Sequence, residues 1–453
     1  MRIVIVGAGK VGEALCRDLS DEGNDIVLIE EDQFRLEHVM DVSDITGIVG
    51  NGASYDVQME ASVDKADIFL AVTEADELNI IACIVAKKIG AVNTIARVRN
   101  PDYSRNMTFL KDNLGVSFMI NPEEESAVDI MNSLKYPSAY SVDNFMNNKV
   151  NMVQFDVEKN SPLDNLRLRD FHMTTEKVLI CAVLRDDEIT IPDGNFILKA
   201  GDKIHVTGTQ RGLKEFIIKC NYENGIVKSV MIIGGSRIAF YLVERLLEKR
   251  IRVKLIEQSE ERAAIFAERF PSLEVILGDG TDQELLLEEG IDRFDAVVSL
   301  TGIDEENIII SMFAITEGVP KNITKINRNF VKPIVVKLEL DTIITPKKII
   351  ADKIIRFVRS RINSKGSSLE NFRRIIGGKV EAIHFTLKKD SKALNIPLKD
   401  LKTVPNLLIA CIKRGSEIIY PGGNDVMKKG DEVLVVTKTK YIDEFDDILV
   451  RHE

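Results

Sequence analysis

The residues with the clearest chemistry are three glycines near the start of the chain. Gly7, Gly9 and Gly12 form the pattern G-x-G-x-x-G, which follows the apolar residues 3–6 and opens a stretch with helical spacing. Such a turn lets the backbone approach a pyrophosphate, and the next helix offers it free N–H groups and a positive dipole end. The pattern predicts a nucleotide site whose phosphate loop comprises Gly7, Ala8, Gly9, Lys10, Val11 and Gly12.

An acidic residue at the expected distance supports a nucleotide ligand. Glu30 ends the next apolar run, about 20 residues beyond the glycines, where a carboxylate would accept hydrogen bonds from a ribose. Because this carboxylate would repel a ribose 2′-phosphate, NAD(H) or a plain adenine nucleotide is favoured over NADP. The alternative is a glycine turn kept for packing alone, with an incidental surface glutamate.

The elements that must position these residues alternate between strand and helix through residues 1–120. This order predicts an α/β fold of Rossmann type, with a doubly wound parallel sheet and right-handed crossovers. Ligands bind such sheets outside the carboxyl ends of the strands. This position adds five residues to the first site, namely Asn51, Gly52, Thr73, Glu74 and Arg97. Arg97 would neutralise phosphate there, unless it is an ordinary surface arginine.

The second half of the chain repeats the first. SVMIIGGSRIAFYLVERLLEKR (229–250) resembles RIVIVGAGKVGEALCRDLSDEG (2–23), and four further blocks follow in the same order at a nearly constant offset. A small α+β module follows each nucleotide fold, since ACIKRGSEIIYPGGNDVMKKGDEVLVV echoes AVLRDDEITIPDGNFILKAGDKIHV. The chain is therefore predicted to be a tandem duplication. Its units are two Rossmann-like nucleotide-binding domains, 1–135 and 227–365, and two regulatory modules, 136–226 and 366–453.

The second copy departs from the glycine pattern. Ser236 replaces the second glycine, which puts a side chain where a pyrophosphate would pass, although its hydroxyl could instead bind a phosphate. Whether this second site is occupied stays open, the alternative being a fold kept only for packing. The candidate residues in this copy are Gly234, Gly235, Ser236, Arg237, Ile238, Glu257, Asp279, Gly280, Thr301, Gly302 and Lys325.

Composition excludes several classes of function. The chain has 453 residues, 45% of them apolar, and its net charge of −11 argues against nucleic acid as a principal ligand. No apolar run approaches the roughly 18 residues that span a bilayer. The first strand begins directly after Met1-Arg2 without a signal peptide. We therefore expect a cytoplasmic protein that reaches a membrane only through a partner.

Cysteine and histidine give no sign of a metal site. The five cysteines form no C-x-x-C pair and stand mostly among apolar neighbours, which predicts reduced, buried thiols. The five histidines are scattered without metal-ligand spacing, so no metal is expected.

A basic stretch runs through about residues 356–374, with the sequence RFVRSRINSKGSSLENFRR. Its glycine and serines are typical of a flexible linker. The alternative is contact with an acidic partner.

Two glycine-turn nucleotide folds, each followed by a module with a GD-x-hydrophobic turn, resemble the TrkA family. The matching stretches are VIVGAGKVG (4–12), LIEED (28–32), GNGAS (50–54), AVTEADELNI (71–80), KAGDKIHVTG (199–208) and KKGDEVLVVT (428–437). Asn51 departs from the family pattern, in which an acid like Asp279 is more usual. The modules are similar to regulator-of-potassium-conductance domains.

This resemblance implies a cytosolic regulatory subunit of a bacterial potassium uptake system, without catalytic residues. It implies that NAD(H) or ATP/ADP binds the crevices and shifts the orientation of the domains. It also implies a homotetramer beneath a membrane-embedded potassium channel or transporter subunit of the TrkH/TrkG type, on the cytoplasmic face of the membrane.

Two other functions compete with this interpretation. An NAD-dependent oxidoreductase would need a proton donor or acceptor near the nicotinamide, but none of the eight tyrosines forms Tyr-x-x-x-Lys. The other is a soluble nucleotide sensor with no channel partner.

Overall fold

The computed structural model describes nearly the whole chain. The residues described are 1–100, 103, 113–146, 149–171, 178–222, 225–328, 338, 340, 342–362, 369–388, 391–438, 442 and 444–450.

The first domain contains a six-stranded, all-parallel sheet. Its strands are β1 (Arg2–Val6), β2 (Asp25–Glu30), β3 (Thr46–Val49), β4 (Ile68–Ala71), β5 (Asn93–Arg97) and β6 (Phe118–Ile120), in the order β3-β2-β1-β4-β5-β6. The helices between them are α1 (Lys10–Ser20), α2 (Gln33–Val42), α3 (Tyr55–Glu60) and α4 (Asp76–Ile89). Because helices cover both faces, the central strands are mostly apolar and buried, as in β1 after Arg2 and in β4.

The helix α5 (Pro122–Ser133) leads from this sheet into the first module. That module is an antiparallel sheet of β7 (Ser141–Phe145), β8 (Val150–Asp156), β9 (Leu179–Arg185), β10 (Glu188–Thr190) and β11 (Lys203–Gly208), closed by the helix α6 (Gln210–Lys219).

The second domain repeats the strand order of the first. Its strands are β12 (Ser229–Ile233), β13 (Arg252–Glu257), β14 (Glu274–Leu277), β15 (Ala296–Ser299), β16 (Lys321–Lys325) and β17 (Thr342–Ile344), in the order β14-β13-β12-β15-β16-β17. Its helices are α7 (Arg237–Glu248), α8 (Glu260–Arg269), α9 (Gln283–Glu288), α10 (Asp304–Thr316) and α11 (Pro346–Ile362).

The second module is again antiparallel. Its strands are β18 (Leu369–Ile375), β19 (Val380–Thr386), β20 (Leu407–Arg414), β21 (Glu417–Ile419) and β22 (Glu432–Thr437). The two parallel sheets and two antiparallel sheets confirm the predicted α/β fold and the tandem duplication. Each sheet lies within one of the four predicted units, whose boundaries remain a prediction.

The helix that leaves each parallel sheet packs on the other half of the chain. Ala127 and Ile130 of α5 lie in one apolar core with Ile232 of the second domain. Conversely, α11 contributes Ile354 to a core that contains Ile3 of the first domain, and the second module joins this same core. The two halves therefore interlock through their helices.

The linker interpretation of residues 356–374 is wrong wherever that stretch is described. Helix α11 continues to Ile362 and β18 begins at Leu369, while residues 363–368 lie outside the described part. Arg359 is 2% exposed, and its guanidinium contacts the carboxylates of Glu22 at 2.6 Å and Glu381 at 3.4 Å. The basic stretch thus pairs with acids of this same chain, which the local sequence could not indicate.

All five cysteines are buried and form no disulfide. Within the described residues, no group of His, Cys, Asp and Glu side chains has the arrangement of a metal site. Over the same residues, no helix is both long and apolar enough to cross a membrane.

Candidate functional site

A crevice of about 880 Å³ lies at the carboxyl ends of the strands in the first domain. This position is where an open parallel sheet binds its ligands. We call it the first crevice. Ten of the predicted residues line it: Gly7, Ala8, Gly9, Lys10, Val11, Glu30, Gly52, Thr73, Glu74 and Arg97. Gly12 and Asn51 are absent from the lining residues.

The three glycines of the turn have different physical roles. Gly7 has a φ of +103°, a conformation that side chains disfavour, and a Cβ on Gly12 would overlap the carbonyl oxygen of Gly7. A Cβ on Gly9, in contrast, would have no atom within 4 Å. Gly9 is also the N-cap of α1 and provides no side-chain cap. The fold therefore requires Gly7 and Gly12, whereas Gly9 keeps space free beside uncapped N–H groups.

Glu30 is held by the backbone at the rim of the crevice. Its Oε2 accepts a hydrogen bond of 2.5 Å from the N–H of Ala8, and its Oε1 accepts from the N–H groups of Glu31 and Asp32. Each carboxylate oxygen has more than one acceptor position. The carboxylate is thus fixed and can still accept hydrogen bonds from ribose hydroxyls.

Arg97 brings a buried cation to the same crevice. It is 9% exposed, and its Nη1 donates to the carbonyl oxygen of Val72 at 3.3 Å. Its Nε has no hydrogen-bond partner among the described residues. Burial and the neighbouring Arg99 lower its pKa. An incompletely paired buried guanidinium is costly, and an anionic ligand would relieve that cost.

The loop after β4 is organised by a buried amide that sequence reasoning missed. Asn79 is fully buried; its Oδ1 accepts from the N–H of Thr73 at 2.9 Å, and its Nδ2 donates to the carbonyl oxygen of Arg97 at 3.0 Å. Asn307 makes the equivalent contacts to Thr301 and Lys325 in the second domain. The recurrence of this asparagine in both repeats, in ELNI (77–80) and EENI (305–308), is the sequence signal for this role.

Two predicted residues in the turn after β3 have contacts that the fold itself explains. The Oδ1 of Asn51 accepts the N–H of Ala53 at 2.8 Å and so closes its own turn. A Cβ on Gly52 would overlap the side chain of Val6, so that glycine permits close packing on the sheet.

Sequence reasoning also missed side chains that reach the first crevice from other elements. Helix α2 contributes Phe34, Arg35 and His38, and Arg99 follows β5. The helical spacing of the first three after Glu30 could have indicated them. The interlocked helices and the second domain contribute Pro122, Glu123, Asn327, Pro346, Lys347 and Ile350. No local pattern indicates these, because the packing of α11 on the first domain is long-range.

The second copy satisfies its own polar groups. Ser236 is the N-cap of α7, and its hydroxyl oxygen accepts the N–H of Ala239 at 3.3 Å. Glu257 is 3% exposed; its Oε2 accepts from the N–H of Gly235 at 2.5 Å, and its Oε1 accepts from Arg262 at 2.7 Å. In the first copy the equivalent Arg35 instead lies within 3.6 Å of Asp32.

The remaining candidates of the second copy are placed as follows. Lys325 is 8% exposed and donates to the carbonyl oxygen of Thr301 at 2.6 Å. Asp279 closes its turn by accepting hydrogen bonds from the N–H and the hydroxyl of Thr281.

The other candidates of the second copy are three glycines and the first two residues of α7. Gly234 has a φ of +98°, Gly280 packs against Ile233, and Gly302 adjoins open space. Ile238 is buried and Arg237 is exposed.

Known protein families match both nucleotide folds and both modules of this chain. Residues 3–122 and 230–346 match the TrkA-N domain, and residues 152–217 and 383–450 match the TrkA-C domain. The Trk system potassium uptake protein TrkA homolog of Archaeoglobus fulgidus is 30% identical over 448 residues, which cover 99% of this chain and 100% of the relative.

Two solved structures share the fold. The GsuK channel bound to NAD has a TM-score of 0.63 at 14% identity, over 96% of this chain and 76% of that chain. GsuK bound to ADP has a TM-score of 0.51 at 13% identity, over 80% of this chain and 69% of that chain.

Proposed function

The chain belongs to the TrkA family, and from this premise we propose that it is a nucleotide-sensing regulatory subunit of a potassium uptake system. Membership confirms the resemblance that the glycine turn and its repeat indicated. It also decides against a dehydrogenase, the enzyme class that commonly uses the same type of sheet, so the chain is a regulatory protein and not an enzyme.

The observation that carries the proposal is the open first crevice. Gly9 leaves space beside the uncapped N-terminus of α1, and Glu30 stands at the end of the neighbouring strand. Arg97 adds a cation with an N–H that lacks a partner among the described residues. Together these groups match the phosphate and ribose of one nucleotide.

The ligand class is NAD(H) or ATP/ADP. The carboxylate of Glu30 favours a ribose with free hydroxyls over a 2′-phosphate. GsuK, which has the same fold, has been solved with NAD bound and with ADP bound, and this supports both choices. We propose that the first crevice is the principal site and that the second copy binds more weakly, because Ser236 and Glu257 already have intramolecular partners.

We place the chain at the cytoplasmic face of the membrane, as a homotetramer bound to a membrane-embedded potassium channel or transporter subunit of the TrkH/TrkG type. The support for this partner is the family and the potassium uptake name of its relative. Since both halves line the first crevice, a bound nucleotide would favour one relative orientation of the halves and so change the gating of that partner.

Calorimetric titration of the full chain with NADH, NAD, ATP and ADP tests the proposal. We expect saturable binding of at least one of the four, with about one high-affinity site per chain. Two equal sites would contradict our ranking of the crevices. Absence of binding by all four nucleotides would refute the nucleotide-sensing function.

A further inference from the structure

Two lysines from opposite halves of the chain meet at the first crevice. Lys10 is the first residue of α1, directly after the glycine turn, and Lys347 is the second residue of α11. Both line the crevice. The Nζ of Lys347 donates to the carbonyl oxygen of Asn327 at 2.8 Å, which holds this side chain in place. The second domain therefore completes a site built on the first.

The charges around Lys347 favour the binding of an anion. Burial, followed by the charge of Lys10, lowers the pKa of Lys347 to about 8, against the opposite influence of Asp304 and Glu13. Two ammonium groups that line one crevice repel each other, and an anion between them would remove that penalty.

The N-terminus of α11 adds positive potential in the same direction. Its first turn contains no acidic residue, whereas the first turn of α5 contains three glutamates, 123–125. Acids normally neutralise the positive dipole end of a helix, and lysines there add to it. The start of α11 thus has the charge pattern of an anion-binding helix end.

A separate observation points to an anion in this crevice. Arg97 is more than nine-tenths buried, and its Nε has no hydrogen-bond partner among the described residues. The lining also contains acids, namely Glu13, Glu30, Glu31, Glu74 and Glu123. The carboxylate of Glu30 already accepts backbone N–H groups, and burial raises the pKa of Glu123. Even with these acids present, the Nε of Arg97 has no partner among the described residues, so an anion has a buried donor to bind there.

From this geometry we infer that Lys10 and Lys347 form a subsite for the β- and γ-phosphates of an adenine nucleotide. The inference rests on the proposed nucleotide binding and identifies the phosphates that the second half of the chain contacts. Affinity then rises from AMP to ADP to ATP, and each added phosphate draws α11 towards α1.

The test is titration of the full chain with AMP, ADP and ATP, in the wild type and in three variants. Lys347→Gln removes the subsite charge. Lys348→Gln is the matched control, because Lys348 is the next residue of α11 but is exposed and is not among the lining residues. We expect Lys347→Gln to weaken ATP roughly tenfold, as for one lost charge-assisted hydrogen bond, and AMP less than about twofold.

The outcomes separate this inference from the proposed function. An unchanged ATP-to-AMP affinity ratio in Lys347→Gln, with binding retained, overturns the subsite and leaves nucleotide sensing intact. Equal losses in the Lys347 and Lys348 variants also overturn the subsite, since they indicate a general charge effect. A wild type that binds none of the three nucleotides overturns the subsite and argues against nucleotide sensing by phosphate groups. Lys10→Gln must lower the same ratio from the other half of the chain.

Discussion

Replacing Gly9 by aspartate should abolish nucleotide binding without weakening the fold. Gly9 has φ −66° and ψ 175°, which any residue can adopt, and a Cβ there would have no atom within 4 Å. It is the N-cap of α1, a position where aspartate is preferred over glycine by a few tenths of a kcal/mol. The variant should therefore unfold at the same denaturant concentration as the wild type or slightly higher.

The same carboxylate would lie where the phosphates of a ligand must pass. Two unit charges about 5 Å apart at an effective dielectric constant of about 20 repel by roughly 3 kcal/mol, which weakens binding by more than about 100-fold. A ligand at 100 times its dissociation constant stabilises the wild type by about 2.7 kcal/mol. For Gly9→Asp at that ligand concentration, the gain should fall below about 0.5 kcal/mol.

Thermal or urea unfolding with and without nucleotide, together with calorimetry, measures both effects in the same sample. Gly225→Asp is the matched control, because Gly225 is exposed and a Cβ there would also meet nothing within 4 Å. It adds the same charge outside the crevice. Normal nucleotide binding by Gly9→Asp would refute the assignment of the phosphates to this turn, and an equal loss in Gly225→Asp would refute the local charge argument.

Three further variants test the site and its support. Glu30→Gln should weaken nucleotide binding about tenfold and reduce discrimination against a 2′-phosphate, measured by titration with NADH and NADPH; unchanged discrimination would contradict the ribose role. Arg359→Met should destabilise the fold by about 3 kcal/mol in urea, because it removes the most buried cation of a cluster in which only Arg374 then pairs with Glu22 and Glu381, whereas Arg252→Met at an exposed pair should cost less than about 1 kcal/mol. Burial lowers the pKa of His205 from 6.5 to about 4, so its contribution to stability is present above pH 6.5 and is lost as the pH falls towards 4. His205→Leu should therefore reduce the acid-induced loss by roughly 3 kcal/mol at most, and an unchanged pH profile would show that other groups dominate it.

The features predicted correctly from the sequence are those set by local chemistry. A glycine turn between an apolar strand and a helix has few alternative structures, so Gly7, Gly9 and Gly12 identified the first domain and its crevice. The repeat then fixed the architecture, since a second copy with the same order of elements has to form a second sheet. The position of Glu30 followed from the length of the unit between two neighbouring strands.

The features that the sequence did not predict depend on contacts between distant segments. Arg359 looked like part of a basic linker because its partners, Glu22 and Glu381, lie far from it in the sequence. Lys347 was missed for the same reason, since only the packing of α11 on the first domain brings it to the crevice. The sequence left the role of Ser236 open, and it did not indicate that the serine hydroxyl oxygen accepts the N–H of Ala239.

The difference between the two copies itself suits a switch that one ligand operates. A ligand shifts the orientation of two halves only if its interactions differ between their arrangements. The first crevice meets this condition because Lys10 belongs to the first half and Lys347 to the second. In the second copy, the polar groups of Ser236, Glu257 and Lys325 already have partners within that copy, so a ligand there would have to displace existing bonds. We therefore expect nucleotide binding to act through the first crevice, with the second domain as the body that moves relative to it.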